Sequence, residues 1–299
     1  MIFFGAMQLT DMNGSFGINR MIKLSAQIFF IAVLTSLVSA KTGPVIRKEF
    51  REENGRQVEY MYIDGIKVHE TDPFKQPPPP VVLPKPYDAR SAKPPKDCIV
   101  LFDGTEETVK NWISSKGGPT KWRLLDGALE SVRGGGYLQS KQEFGSCKLH
   151  VEFATPSKVV GEGQGRGNSG VFLMGRYEVQ VLDSYNNITY PDGQCGSLYG
   201  RAKPLVNACR PPGEWQSYDI TFHRPKFDQQ GKVIKKAKFH VIHNGHVIHN
   251  HLELSGGTGW RGLHAVSAYK KHGDKGPIKF QDHGNPVRFR NVWIVPFKD

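Results

Sequence analysis

The sequence predicts an all-β fold: an antiparallel β-sandwich over residues 98–299, preceded by an export signal and a proline-rich leader. Three observations predict it. From Cys98 onward the chain is a succession of short runs in which apolar and polar residues alternate, with no long helical period. Gly, Asn and Pro separate those runs, as turns require. Glycine supplies 33 of 299 residues and aromatics 11%, a balance that suits turns and strands better than a helical bundle. The apolar content excludes disorder along the whole length. No heptad or collagen period is present, which argues against a fibre.

The first forty residues read as an address. From Met21 on, Lys23 gives a basic start, 26–37 is apolar but short for a bilayer span, and Val38-Ser39-Ala40 offers a signal-peptidase site. Met21 is a candidate true start. Export to the periplasm or beyond is expected, with no integral membrane segment after cleavage; an N-terminal anchor is the competing reading. The whole chain carries a formal charge of +12, of which +11 stays with residues 41–299 once Arg20, Lys23 and Asp11 are removed. A basic exported surface suits acidic polysaccharide, and export disfavours nucleic acid as a partner.

Residues 41–97 form the leader. Runs at 58–63 and 66–68 flank Asp64-Gly65, a dipeptide that favours a tight hairpin turn. Pro77 to Pro80, then Pro84, Pro86, Pro94 and Pro95, imply an extended linker that either crosses the main domain or hangs free.

Strands are then expected at 98–102, at 122–125 and 128–132 around Asp126-Gly127, and at 148–153, 218–222 and 287–295. In the run at 148–153, Leu149, Val151 and Phe153 take one face, and His150 and Glu152 the other. Cys98, Cys147, Cys195 and Cys209 are an even set, which in an exported chain permits disulfides. Cys195 and Cys209 bracket a Gly- and Pro-containing stretch and are the better-placed pair; Cys147 opens a strand and is equally a buried thiol. The run 239–249 is nearly palindromic about Asn244-Gly245. A two-residue turn there pairs His243 with His246 and His240 with His249, on opposite faces, so four histidines cannot meet on one ion. A two-histidine surface site and plain cross-strand polar pairs both remain open.

The most informative run is 167–183. From Arg176 to Val181 alternation is strict: Arg176, Glu178 and Gln180 on one face, Tyr177, Val179 and Val181 on the other. A cation, a carboxylate and an amide then stand about 6.5–7 Å apart. Such a row is either a solvated outer face or the floor of a polar cleft. Asn168-Ser169-Gly170 before it, Asp183-Ser184-Tyr185 after it, and Gly196-Ser197-Leu198-Tyr199-Gly200 beyond favour the cleft, because planar polar groups and aromatic rings suit sugars. The glycine-rich stretch 161–167 lacks a following Lys-Ser/Thr and leads into a strand, so no nucleotide is expected.

Leu101-Phe-Asp-Gly104, Trp112, Trp122 with Asp126-Gly-Ala-Leu129, Gly167-Asn-Ser-Gly-Val-Phe-Leu173, Tyr177-Glu-Val-Gln-Val-Leu-Asp183, Gly196-Ser-Leu-Tyr199, Gly213-Glu-Trp-Gln-Ser-Tyr218 and the run 278–294 occur in order. Together they resemble the 3-keto-disaccharide hydrolase domain family over about residues 98–299. The resemblance implies a concanavalin A-like jelly roll and cleavage of oxidised glycosides, with an oligosaccharide or 3-keto-glycoside as substrate. A ketone at C3 acidifies the C2 hydrogen; a base removes it, the C1 oxygen leaves from the enolate, and water adds back. That chemistry needs a base, an acid and positive charge at the enolate oxygen. Glu178 with Asp183 or His283 are the candidate base and acid. Arg176 or a bound divalent metal is the candidate enolate stabiliser. Asn168, Gln180, Tyr199 and Asp282 are candidates to orient hydroxyls. For Asp282-His283 the competing reading is a turn-stabilising Asp beside an exposed His; for Glu178 it is a strand residue paired to Arg176. A non-catalytic carbohydrate-binding or cell-envelope module on the same fold is the alternative function.

Overall fold

The structure is a computed structural model and describes residues 46–53, 56–63, 66–70, 77–86, 92–259 and 268–297. The predicted signal at 1–40 and the Asp64-Gly65 turn lie outside those residues. Among the described residues, no helix is long and apolar enough to cross a membrane.

β1 (Ile46–Glu53), β2 (Arg56–Ile63) and β3 (Ile66–Glu70) make a small antiparallel sheet, with Ile63 opposite Ile66 as the expected hairpin requires. The main domain begins with β4 (Ile99–Phe102), β5 (Trp112–Ser114), β6 (Arg123–Leu125) and β7 (Ala128–Glu130). It continues with β8 (Leu138–Phe144), β9 (Cys147–Ala154), β10 (Ser169–Leu173) and β11 (Tyr177–Val181). Next come β12 (Gln216–His223), a short pair β13 (Lys226–Phe227) and β14 (Val233–Lys235), and the hairpin β15 (Lys238–His243) and β16 (His246–Glu253). β17 (Gly276–Phe280) and β18 (Arg288–Pro296) close the chain.

Two antiparallel sheets form the sandwich. One runs β11-β10-β17-β8-β5; the other runs β16-β15-β12-β9-β18-β7-β6, with β4 also on β18. The two-residue period of each strand decides what lies between them. Val171, Leu173, Tyr177, Val179, Ile278 and Phe280 point inward from the first sheet, and Leu149, Val151, Phe153, Tyr218, Ile220 and Phe289 from the second. Phe280 and Phe289 stack across the interface, ring centroids 4.2 Å apart and nearly parallel. Trp112 and Trp122 flank that pair, and each satisfies its indole N–H on a backbone carbonyl, Leu101 at 3.0 Å and Gly136 at 2.8 Å.

The proline-rich segment crosses the domain rather than hanging free. Val81 bridges in parallel to Asn207, the Lys85 N–H donates to the Asn244 carbonyl at 3.1 Å, and His246 Nε2 donates to the Leu83 carbonyl at 2.9 Å.

The histidine hairpin departs from the expected register. His243 faces His246 and Ile242 faces Val247, but Val241 then faces His249, because Ile248 sits in a bulge. The slip lets Ile248 and His249 both be buried, and His249 Nε2 donates to the Gly196 carbonyl at 2.7 Å. His240 consequently lies beside His251, not His249.

Candidate active site

The β10–β11 hairpin builds the site. Its loop is Met174-Gly175-Arg176, with Met174 at φ 53° and Gly175 at φ 63°. The turn closes with the Arg176 N–H donating to the Leu173 carbonyl at 3.0 Å. Phe172 thereby faces Glu178, and Gly170 faces Gln180. Tyr177, Val179 and Val181 fill the core, so Glu178 and Gln180 point out of the sandwich on the other face. Both are nevertheless buried, 4% and 2% exposed, which excludes the solvated outer face.

The cover is the chain after β11. Residues 196–199 run along the open edge of that strand: the Gln180 N–H donates to the Ser197 carbonyl at 2.9 Å, and the Tyr199 N–H to the Glu178 carbonyl at 3.3 Å. Thr258 joins from a distant loop, its hydroxyl accepting from the Glu178 N–H at 2.8 Å and donating to the Arg176 carbonyl at 3.1 Å.

The Glu178 carboxyl lies over the backbone of Gly170, and a methyl group there would collide with Oε1 and crowd the Phe172 ring. Burial pushes its pKa up to about 8. Tyr190 and Tyr199 share a hydroxyl–hydroxyl bond of 2.8 Å nearby. Burial raises both phenols, and the charges of Asp192 and Glu178 push the same way. Gln180 Nε2 donates to Gln164 Oε1 at 3.1 Å and to the Gly193 carbonyl at 3.2 Å, and Asn168 Nδ2 donates to the Gln164 carbonyl at 2.7 Å. The side-chain oxygens of Asn168 and Gln180 are buried with no donor among the described residues.

The other predicted residues are placed as follows. Arg176 is exposed on the hairpin loop, one residue outside β11, so it leaves the row that Glu178 and Gln180 share. The left-handed Met174-Gly175 pair makes the turn, which takes in Arg176, the first residue of the expected alternation. Asp183 is buried and bound to Arg166, Oδ2 to Nε at 2.6 Å, and it also accepts the Tyr185 N–H. Asp282 stabilises its turn, accepting from the Gly284 and Gly136 N–H groups at 2.9 and 3.1 Å, and His283 is exposed beside it. Tyr199 is half-buried in the cover.

Sequence reasoning missed Gln164, Tyr190, Asp192, Thr258 and Lys279. Lys279 had a readable signal. It alternates with the core residues Ile278 and Phe280 on β17 and lies opposite Phe172, so a second cation stands on this face.

A divalent ion of the kind that activates sugars takes oxygen ligands. Among the described residues no set of three acidic or histidine groups within ligand reach surrounds Glu178. The one set of three His, Cys, Asp or Glu side chains within such reach of one another among the described residues is Cys195, Cys209 and His243, buried elsewhere.

Residues 97–295 match the family model of the 3-keto-alpha-glucoside-1,2-lyase-like domain. A 3-keto-disaccharide hydrolase from Bacteroides thetaiotaomicron is 25% identical over 81% of this chain and 88% of its own length. A crystal structure from Parabacteroides distasonis, provisionally named a glycosyl hydrolase, superposes with a TM-score of 0.66 at 44% identity, covering 75% of this chain and 94% of that one. A second so named from the same organism has a TM-score of 0.50 at 18% identity, over 68% and 95% of the two chains, and shares the fold.

Proposed function

The chain belongs to the 3-keto-alpha-glucoside-1,2-lyase-like domain family, and on that premise we propose that it is an exported enzyme that cleaves 3-keto-glycosides by elimination and hydration. The observation that carries the reading is Glu178, a buried carboxyl on a polar sheet face with a pKa of about 8. A carboxylate that ionises so high is a far stronger base than one in water, and it changes state close to neutral pH.

Glu178 takes the C2 proton, and the electron pair moves into the enolate of the C3 ketone. As the enolate collapses, the C1–O bond breaks. The leaving oxygen takes a proton from the Tyr190–Tyr199 pair, whose linked hydroxyls deliver it and are re-protonated from solvent. Water then adds, its hydroxyl to C1 and the Glu178 proton back to C2, and its remaining proton goes to solvent, completing net hydrolysis. Lys279 and Arg176 are the cations available to the enolate oxygen. Hydroxyl groups of the sugar supply donors to the unpartnered oxygens of Asn168 and Gln180. Asp183 acts as a structural anion held by Arg166, and Asp282 as a turn former. His283, exposed beside that turn, takes no part in this scheme.

The test is incubation of the purified full chain with 3-keto-trehalose, 3-keto-lactose or a 3-keto aryl glucoside. Release of the free sugar or phenol, lost in Glu178→Gln and retained in His283→Ala, is the expected result. Saturable binding of the unoxidised glycan without product would make the chain a carbohydrate-binding module instead. Activity that survives a chelator is expected. Export is read from the N-terminus of the mature protein, which should begin at Lys41.

A further inference from the structure

Away from Glu178, three side chains from separate segments meet in the core: Cys195 at the start of the cover strand, Cys209 on the loop before β12, and His243 at the end of β15. Their two sulfurs and one ring nitrogen all lie within 4.8 Å of one another, and all three residues are buried. We propose that Cys195 and Cys209 are a disulfide-forming pair that fastens the cover strand to the loop at 204–215.

The surroundings fit a closed dithiol. The Tyr218 hydroxyl donates to the Gln180 carbonyl at 2.7 Å, so the Cys195 thiol, 3.0 Å away, is left to donate to the Tyr218 oxygen. Backbone anchors fix both ends: the Cys195 N–H on Ser184 Oγ at 3.0 Å, and the Cys209 N–H on Asn207 Oδ1 at 3.1 Å. Asn207 Nδ2 in turn reaches the Ser184 carbonyl at 2.9 Å, so both cysteines hang from one local frame. His243 is engaged elsewhere, with Nε2 donating to Gln216 Oε1 at 3.0 Å, and burial lowers its pKa to about 3, so it offers the sulfurs no proton. The other two thiols stand apart: Cys147 pairs with Phe222 and Pro296 on β9, and Cys98 is half-buried before β4.

The oxidant is an exchanging disulfide, either a small-molecule disulfide or that of a thiol oxidoreductase. One cysteine thiolate attacks a sulfur of that disulfide and expels a thiolate, leaving a mixed disulfide on the protein. The second cysteine thiolate attacks the protein-side sulfur and expels the other thiolate. One S–S bond forms in the protein and one is lost in the oxidant, which leaves as two thiols carrying the two electrons and the two protons. Because the folded sulfurs are shielded, exchange takes place before the cover closes.

The pair matters for the neighbouring face without belonging to it. Residue 196, next to Cys195, donates to the Gln180 carbonyl at 2.9 Å, and residue 199 bonds the Glu178 carbonyl. A cross-link at Cys195 ties the start of this strand to the domain, and closing a loop of about 15 residues removes enough unfolded-state entropy to raise the melting temperature by about 5–10 °C.

The full chain is refolded with a mixture of oxidised and reduced glutathione, denatured, alkylated, and mapped by peptide mass before and after reduction. The expected result is one peptide pair joined through Cys195 and Cys209, with Cys98 and Cys147 alkylated at once, and a melting temperature that falls by several degrees after refolding in reductant. The Cys195→Ala/Cys209→Ala double variant should show no such fall; the mass map of the unmodified chain decides the matter even if that variant does not fold. Alkylation of all four thiols before reduction would overturn the proposal. So would stoichiometric zinc in the purified chain with both thiols free.

Discussion

The carboxyl of Glu178 rests on the backbone of Gly170, across the β10–β11 pair and two residues along β11 from Gln180, which Gly170 faces. Only a residue without a side chain leaves that volume open, so the glycine at 170 and the carboxylate at 178 are one arrangement.

Gly170→Ala is expected to push the Glu178 carboxyl off its seat. The added methyl meets both the carboxylate and Phe172, an overpacking worth about 1–3 kcal/mol. Activity on a 3-keto-glycoside should fall further than stability does, as measured by kcat/KM beside a thermal melt.

The pH dependence of stability carries a definite sign. Below pH 4.5 both folded and unfolded chains keep the Glu178 proton. Between 4.5 and about 8 the unfolded chain releases it first, so this group lowers stability as pH rises through that window, and the effect is level above it. The loss is on the order of 3–5 kcal/mol at most. Glu178→Gln should be more stable than the parent at pH 8 and similar near pH 4, a difference read from urea midpoints at the two pH values.

Catalysis should run the other way. The proton acceptor is the ionised carboxylate, so kcat/KM is expected to rise with pH and bend over near 8. Glu178→Gln removes that inflection and lowers turnover by about a hundredfold or more. A flat profile through this range would remove Glu178 from the base role.

Tyr199→Phe breaks the 2.8 Å hydroxyl pair with Tyr190. Stability should drop by about 1 kcal/mol, the ordinary net worth of one hydrogen bond. A fall in kcat of at least about tenfold with KM little changed is expected if the pair protonates the leaving oxygen, and substrates with aryl leaving groups of low pKa should recover much of the loss.

Arg166→Ala tests the assignment of Asp183. The partner carboxylate is 2% exposed, and stripping its counterion leaves a buried charge, a loss of about 3–5 kcal/mol. Asp183→Asn combined with Arg166→Ala should restore much of it, measured as a double-mutant cycle.

Much of the sandwich was legible because burial on one face writes a period of two into each strand. β12 obeys it along its whole length, and in β9 the sequence placed Leu149, Val151 and Phe153 inward where they are found. The same rule put Glu178 and Gln180 together, and it failed at Arg176, where a turn with two left-handed residues looks like one more step of alternation. It failed again at Ile248, since a bulge shifts the register without changing the residue types around it. Gln164, Tyr190 and Thr258 were not legible. They reach the site through chain folding over long separations, and no local pattern records that a threonine at 258 will accept a bond from residue 178. That Glu178 is covered was equally out of reach, because the covering chain lies beyond the strand that bears it.

The strap of prolines has a practical consequence for anyone cutting this gene. Family similarity starts at residue 97, yet Asn207 donates to the Pro80 carbonyl, Lys85 bonds Asn244, and Asn291 and Trp293 both donate to the Ala92 carbonyl. A recombinant fragment trimmed to the similarity limit would lose its own backing and bare those amides to water. An expression boundary near residue 77 keeps the strap and the unit that folds with it.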